Sequence, residues 1–276
     1  GLGAYGRTRV NGSCFIERGY EDIVSDGKEK DDVLNISAKN LEVSTILDLV
    51  KFRVLKFNGY ATGSAQASSL LSKPDVNGNF KVDSFKIDNG YLGSTDLNIG
   101  WRSSDKSIFL NADIHNDAGK QSHVNGFLSQ ANDTIHLDIE ADELNANFIN
   151  KMVRSFMSDI EGTGSGKVSL HGSWRKVDLI GAVALNCSAR IKPTKVKYTF
   201  HGDSLHFTRG KLTFKDAHVT DKRGNSGWLS GEVTHKHLGK WECDLSARVN
   251  NMLVYDTHNF DEAPFYGTVY ATGNAN

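Results

Sequence analysis

Apolar and polar residues alternate along much of this chain. In the longest run, Val183, Leu185, Cys187, Ala189 and Ile191 are separated by single residues that are mostly polar. A period of two is typical of a β-strand with one apolar and one polar face. Shorter runs of the same kind lie at 168–170, 198–200, 205–207, 212–214 and 229–233. The pattern therefore predicts a fold that is mainly β.

Short turn signals separate these runs. They are Asn77-Gly78, Asn89-Gly90, Arg209-Gly210 and Arg223-Gly224-Asn225, which combine glycine with residues that tolerate tight turns. Connections this short join antiparallel neighbours, so we expect an antiparallel meander. The chain holds 27 glycines and only 3 prolines, which favours many tight turns and excludes a long helical bundle.

Two segments depart from the period of two. The apolar residues Phe148, Ile149, Val153, Phe156 and Met157 follow helical spacing instead. The sequence therefore predicts amphipathic helices over 144–158 and 43–55. We expect both to pack onto the sheet, with contact to a membrane or a partner as the alternative.

The chain repeats itself with an offset of 103 residues. Ile36, Ala38, Leu41, Gly59 and Gly63 recur as Ile139, Ala141, Leu144, Gly162 and Gly166. Residues 265–273 begin a third copy, which lines up with 57 onwards at an offset of 208. Fixed-period similarity is the signature of a repeat architecture. We expect one continuous elongated β body over 1–276, with units at about 36–138 and 139–247 and a partial third unit to 276.

Charge and composition exclude several function classes. The chain has 32 Lys and Arg against 33 Asp and Glu, for a net charge of −1. This balance is unlike that of a nucleic-acid binder or a polybasic membrane-surface protein. No run approaches 18 apolar residues, so we expect no membrane-spanning helix in this sequence. Because it begins at Gly1, we expect a piece of a longer protein.

Each candidate motif for catalysis or metal binding lacks residues that the motif requires. The 162–167 segment GTGSGK lacks the first glycine and the final Ser or Thr of a phosphate loop, and a strand pattern follows it. His235 and His237 share a strand face but have no third ligand. We interpret Asp216, Asp221 and Glu232 as solvated, or Asp221 as bonding its own turn. We therefore predict no catalytic residue, no metal and no cofactor.

The three cysteines form no CxxC pair. Cys187 and Cys243 lie in alternating runs, so we expect both to be small buried apolar residues. Cys14 lies outside such a run.

The apolar face of the predicted sheet must be covered. A second sheet could cover it, as in a sandwich, or a long curved sheet could fold over itself and enclose an apolar trough. The repeat favours the trough, and acyl chains are the ligand class that suits such a trough. The periodicity alone does not separate the two shapes. The predicted lining residues are Val183, Leu185, Ala189, Ile191, Leu205, Phe207, Leu212, Phe214, Leu245 and Val249.

Several segments together resemble the C-terminal region of the TamB family, the translocation and assembly modules of the AsmA-like superfamily. They are SDIEG at 158–162, Gly172 with Gly181, KYTF at 197–200, FKDA at 214–217, the 221–225 turn, GEVTH at 231–235 and FYGTVYATG at 265–273. The resemblance covers residues 158–273, and the repeat extends it more weakly to residue 36. Residues 1–35 match no family that we can name.

The resemblance implies a taco-like apolar trough in the periplasm of a Gram-negative cell. Members of this family carry an N-terminal inner-membrane anchor, which we expect in the full-length protein. They are implicated in moving phospholipid to the outer membrane, and in outer-membrane protein assembly with a barrel partner of the TamA type. No catalytic residue comes with the family.

Three functions are candidates for such a chain. The first is a non-enzymatic phospholipid conduit. The second is an interaction module for outer-membrane proteins, whose open strand edges would pair with a client or a barrel strand. The third is a polysaccharide-acting enzyme on a β-helix, which would need a shorter coil period and clustered carboxylates that the sequence lacks.

Overall fold

A computed structural model describes residues 33–44, 56–68, 75–88, 90–104, 106–151, 153–173, 176–236, 239–257 and 267–275. This part of the chain is mainly β, with about 80% of it in strands. The strands are β1 (Val33–Glu42), β2 (Phe57–Ser68), β3 (Asp75–Ile87), β4 (Gly90–Arg102), β5 (Ser107–His115), β6 (Gln121–Ser129), β7 (Thr134–Asn145), β8 (Met157–Ser173), β9 (Lys176–Ile191), β10 (Val196–Phe200), β11 (Asp203–Thr208), β12 (Lys211–Thr220), β13 (Ser226–Lys236), β14 (Gly239–Asp256) and β15 (Thr268–Ala275). The prediction of a long antiparallel meander is confirmed.

The described residues fall into two compact units. The first lies within Gly1–Asp88 and Leu92–Leu137, and the second within Asn89–Tyr91 and Asp138–Asn276, so that the division falls inside β7. In the first unit the strand order is β1-β2-β3-β4-β5-β6. Its buried apolar residues are small or medium-sized: Ala38, Ala61, Ala67, Val82, Leu92, Ala112, Ile114 and Ile135.

In the second unit the strands follow the order β7-β8-β9-β10-β12-β13-β14-β15. The short strand β11 pairs with both β9 and β12, as β10 also does. Together β10 and β11 therefore act as one strand that is interrupted at His201 and Gly202. The backbone N–H of Gly202 donates to the carbonyl of Leu185 across this break, at 2.7 Å.

Four pairs of neighbouring strands share one kind of β-bulge. In each, a residue with positive φ donates its backbone N–H to a Ser or Thr hydroxyl on the next strand. The pairs are Asn40 with Thr62, Glu143 with Ser165, Asp216 with Ser230 and Asn251 with Thr272, at 2.8–3.0 Å. A glycine follows each hydroxyl residue in the sequence. Bulges of this kind increase the local bend and twist of a strand.

The helix predicted over 144–158 is much shorter than expected. A 3-10 helix covers Ala146–Lys151, and β8 already begins at Met157. The side chain of Asn150 bonds both backbone groups of Ile160, at 3.0 and 3.1 Å. Asn150 also donates to the carbonyl of Asn147 at 3.1 Å, and local bonds of this kind between a side chain and the backbone compete with helix propagation. Of the helix predicted over 43–55, residues 43 and 44 are helical, and 45–55 lie outside the described residues.

The turn predicted at Asn77-Gly78 is wrong, since both residues lie inside β3. A Cβ on Gly78 would lie 2.6 Å from the ring of Phe80 and 3.0 Å from the Cβ of Ala65. The absence of a side chain at Gly78 therefore leaves room for the ring of Phe80. The turns predicted at Arg209-Gly210 and at 223–225 are confirmed, because they connect β11 to β12 and β12 to β13.

Candidate functional site

The strand register brings four predicted lining residues into one row. Val183 lies opposite Leu205, Leu205 opposite Phe214, and Phe214 opposite Gly231, which in turn lies opposite Leu245. Directly opposite residues share a face of the sheet. The row therefore crosses β9, β11, β12, β13 and β14 on one face, over about 19 Å at about 4.8 Å per strand.

A second row lies beside the first on the same face. Phe207 lies opposite Leu212, and Leu212 opposite Val233 and then Cys243. At its end on β9 stands Gly181, which faces Phe207. Six of the ten predicted lining residues therefore lie in these two neighbouring rows.

Two more of the predicted residues, together with Phe214 of the first row, pack against a core at this face. Leu185, Phe214 and Val249 pack against a buried cluster. The cluster consists of Cys187, Phe200, Val219 and Met252. The ring of Phe200 in this cluster, on β10, lies with its centroid 6.4 Å from that of Phe214 on β12.

The remaining two predicted residues lie nearer the other end of β9. Ala189 is buried in a second cluster with Ala146 and Ile160, against which Ile149, Val153 and Met157 pack. Ile191 lies opposite Met157 on β8 and Val196 on β10. The packing predicted for the 144–158 segment is thus seen for its apolar side chains.

Burial across the predicted lining is incomplete. Only Ala189 and Leu205 are buried, with 2% and 7% of their surface exposed. The other eight residues are half-buried. Inward-facing residues in the middle of a closed sandwich core are usually buried far more completely.

One aromatic contact joins distant ends of the strands in the second unit. Phe156 immediately precedes β8, whose first residue faces Ile191, whereas Trp241 lies at the start of β14 opposite His235. The rings of Phe156 and Trp241 are nevertheless 5.5 Å apart, and Trp241 is 4.8 Å from the ring of His235.

A buried carboxylate stands beside the apolar cluster. Asp221 is 5% exposed and accepts hydrogen bonds from the backbone N–H groups of Arg223, Asn225 and Leu253 at 2.8–3.0 Å. Burial raises the pKa of Asp221, but these bonds, with that of Leu253 foremost, outweigh burial and hold the pKa below its usual value. Its predicted solvation is therefore wrong, and the alternative of a bond to its own turn is confirmed.

The other polar residues considered in the sequence do not belong to the two rows. Glu232 pairs with Lys211 at 2.6 Å, and Asp216 is exposed. Within the described ranges, no three His, Cys, Asp or Glu side chains lie close enough to hold a metal ion. His237, one of the two histidines considered above, lies outside the described residues.

The two described cysteines differ. Cys187 is buried as predicted, and burial raises its pKa to about 11. Cys243 is exposed, so the prediction that it is buried is wrong. Cys243 lies at the β14 end of the row of Phe207, Leu212 and Val233, where residues 242–244 are exposed on both faces of the strand.

Three residues of the buried cluster are not among the predicted lining residues: Phe200, Val219 and Met252. Phe200 belongs to a short alternating run that could have indicated it. Val219 and Met252 follow the bulges at Asp216 and Asn251, which shift the alternation by one residue.

Comparison with known proteins finds no match to any family model, any curated protein or any solved structure. The resemblance to the TamB family therefore stays a prediction from the sequence. In the part of the chain that the structure describes, no helix has the length and apolar character needed to cross a bilayer.

Proposed function

We propose that this chain is a non-enzymatic segment of a lipid conduit, in which the apolar face of the second unit holds phospholipid acyl chains. The observation that carries the proposal is the row of Val183, Leu205, Phe214 and Leu245 on one face of neighbouring strands. The half-buried state of most lining residues leaves apolar surface for a ligand. The family resemblance suggests the route, which runs between the inner and outer membranes through a Gram-negative periplasm.

Acyl chains match this row in length and chemistry. The hydrocarbon core of a bilayer is about 30 Å thick, so the chains of one leaflet extend about 15 Å. The row of apolar residues covers about 19 Å. Each buried CH₂ contributes about 0.8 kcal/mol, so about 14 carbons could contribute roughly 10 kcal/mol before ordering costs.

Two contacts support a trough-like fold of the second unit. Phe200 faces Val219 in the register, and Phe214 lies five residues before Val219 on the same strand. Four or five residues of a straight strand extend about 13–16 Å, yet the rings of Phe200 and Phe214 are 6.4 Å apart. The contact between Phe156 and Trp241 also favours strands that bend towards their own apolar face.

The bulges support the proposed repeat. Asn40 and Thr62 form one bulge, and Glu143 and Ser165 form another, each residue 103 positions after its counterpart. In β14 and β15 the same arrangement recurs with Asn251 and Thr272. The partial third unit then aligns Thr272 with Thr62, at an offset of 210 and not the 208 that the sequence suggested.

Native mass spectrometry with lipid extraction tests the proposal on the chain purified without detergent. We expect phospholipid to co-purify, or to be taken up from added vesicles. The substitutions Leu185→Asp and Phe207→Asp should abolish binding, because a charge on this face is costly beside an acyl chain. His206→Asp is the matched control, since His206 adjoins Phe207 on β11 but points to the opposite face.

Circular dichroism first establishes that each variant is folded. A chain that neither retains nor takes up lipid contradicts the proposal. Equal lipid binding by the folded Phe207→Asp and His206→Asp variants also contradicts it, because the ligand would then not lie on the apolar face.

The edge strands favour a second candidate, an interaction module for outer-membrane protein assembly. In the strand order of the described residues, β1 and β15 are terminal, and each carries an exposed apolar residue. Ile36 is 40% exposed and Val269 is 48% exposed. Recovery of barrel proteins without lipid, in a pull-down from envelope extract, would favour this candidate over the conduit.

A further inference from the structure

An open cavity lies on the polar face of the first unit. This face belongs to β3, β4, β5 and β6, and it is the side of the sheet away from the buried Ala112 and Ile114. The cavity has a volume of about 360 Å³, within the range of about 300–1,000 Å³ that is usual for small-molecule sites. The polar residues that line it are Asn79, Lys81, Asp96, Asn98, Asn111 and Asp113. Such a lining suits a hydrophilic ligand.

A row of amides crosses these strands. In the register, Asn98 faces Asn111, which faces Asn125. On the adjacent strand β3, Asn79 accepts a hydrogen bond from the side-chain N–H of Asn98 at 2.7 Å. All four side chains are exposed. An amide carries both donors and an acceptor, so the row can bond groups that donate and accept at once, as a hydroxyl does.

A row of charged groups adjoins the amides. Asp96 faces Asp113, which faces His123, two positions along each strand from the amides. Asp113 and His123 bond each other at 2.7 Å, and this bond lowers the pKa of Asp113. At neutral pH the carboxylate is therefore ionised and can only accept hydrogen bonds. Two carboxylates against Lys81 in the lining disfavour an anionic ligand. Among the described residues, no three His, Cys, Asp or Glu side chains lie close enough to hold a metal ion.

Aromatic rings lie on the other side of the amide row. Phe109 faces Phe127, and their ring centroids are 6.0 Å apart. These two residues lie two positions along their strands from Asn111 and Asn125, and both are half-buried although they belong to the polar face. The guanidinium of Arg102 lies over the Phe109 ring, 4.3 Å from its centroid, which leaves Phe127 as the ring for a ligand to contact. Two positions of a strand span about 7 Å, so one ligand can reach both rows.

We propose that this polar face of the first unit binds an oligosaccharide. A sugar ring has apolar C–H faces and a rim of hydroxyl groups, so it can stack on Phe127 while its hydroxyls bond the amides and carboxylates. Phe127 lies two strands away from Asn98 in the cavity, which is about 10 Å. The ligand is therefore a chain of sugars and not a single one. This proposal goes beyond the lipid conduit and does not depend on it.

Isothermal titration calorimetry of the full chain tests the proposal with three probes, which are chitohexaose, cellohexaose and maltohexaose. We expect at least one of them to bind. The Asn111→Ala substitution should weaken that binding by about tenfold or more, a loss of about 1.4 kcal/mol, because Asn111 lines the cavity in the middle of the amide row. Asn186→Ala is the matched control, since Asn186 is an exposed asparagine of β9 in the second unit. Circular dichroism establishes that each variant is folded.

A second pair of variants tests the aromatic contact. Phe127→Leu keeps an apolar side chain but removes the ring, so it should also weaken binding by about tenfold. Phe127→Tyr keeps the ring and should bind the probe as the unchanged chain does. Absence of binding by all three probes at millimolar concentration would overturn the proposal. Equal affinities of the folded Asn111→Ala and Asn186→Ala variants, or of Phe127→Leu and Phe127→Tyr, would overturn it as well.

Discussion

The carboxylate of Asp221 accepts a hydrogen bond from the backbone N–H of Leu253, 32 positions later in the chain, at 2.9 Å. The same carboxylate bonds the N–H groups of Arg223 and Asn225 in its own turn. One buried side chain therefore links the turn between β12 and β13 to the last residues of β14, where Met252 and Leu253 are buried.

We expect Asp221→Ala to lower the free energy of unfolding by about 1–3 kcal/mol, because it leaves the buried N–H of Leu253 without an acceptor and removes the bonds to Arg223 and Asn225. Urea denaturation followed by circular dichroism measures this change. Asp244→Ala is the matched control, since Asp244 is an exposed carboxylate on β14. Equal effects of the two substitutions would contradict the structural role of Asp221.

The pH dependence of stability follows from the same carboxylate. Hydrogen bonds hold the pKa of Asp221 below that of an unfolded aspartate, despite the opposing effect of burial. Its contribution is therefore present above the unfolded pKa of about 3.9 and is lost as the pH falls through the folded value. Asp113 acts in the same direction, because its hydrogen bond with His123, at 2.7 Å, lowers its pKa.

Stability should accordingly fall as the pH is lowered below about 4. Urea midpoints measured from neutral to acid pH test this, and the Asp221→Asn variant should show a shallower decline. A variant whose stability declines as steeply as that of the unchanged chain would show that Asp221 is not responsible.

The bulge hydroxyls give a third prediction. Ser165 accepts the backbone N–H of Glu143 at 2.8 Å in a partly buried site. We expect Ser165→Ala to lower the free energy of unfolding by about 0.5–1.5 kcal/mol. Ser165→Thr, which keeps the hydroxyl, should restore most of the loss. If alanine and threonine were equivalent in urea denaturation, the hydroxyl would have no role in the bulge.

Strand content and connectivity were predictable from local signals. An alternation such as that from Val183 to Ile191 directly indicates which residues share one face of a strand. The 223–225 turn contains Gly224, which has a positive φ, and its backbone is bonded by the side chain of Asp221. Asn77-Gly78 has the composition of a turn, but its glycine leaves room for the ring of Phe80, two residues further along the same strand. No local pattern distinguishes these two reasons for a glycine.

The apolar face was predictable only up to the bulges. Leu212 and Phe214 follow the alternation on β12, but the extra residue at Asp216 places Ala217 and Val219 on the same face as Phe214. A period of two assigns those residues to the wrong side. The strand register determines which residues face each other across strands, as Val183 and Leu205 do. Bulges and breaks set this register, and they involve residues that are distant in the sequence.

The thiols should react at very different rates. Burial raises the pKa of Cys187 to about 11 and hides it in the apolar cluster, whereas Cys243 is exposed. Because the thiolate is the nucleophile, a maleimide or aromatic disulfide reagent should modify Cys243 first in the native state. A Cys14→Ser background leaves only these two thiols. Equal rates for both, measured by mass spectrometry of the native protein, would contradict the burial of Cys187.

Cys243 also reports on the proposed lipid. It lies in the row of Phe207, Leu212 and Val233 on the apolar face, so an acyl chain along this face should cover its thiol. We expect phospholipid vesicles to slow the modification of Cys243. A cysteine at Glu242, in a Cys243→Ser background, is the matched control because adjacent residues of a strand point to opposite faces. Lipid should leave the rate at that cysteine unchanged. Equal slowing at both positions would indicate general adsorption to the vesicle surface, and no slowing at Cys243 would place the acyl chain elsewhere.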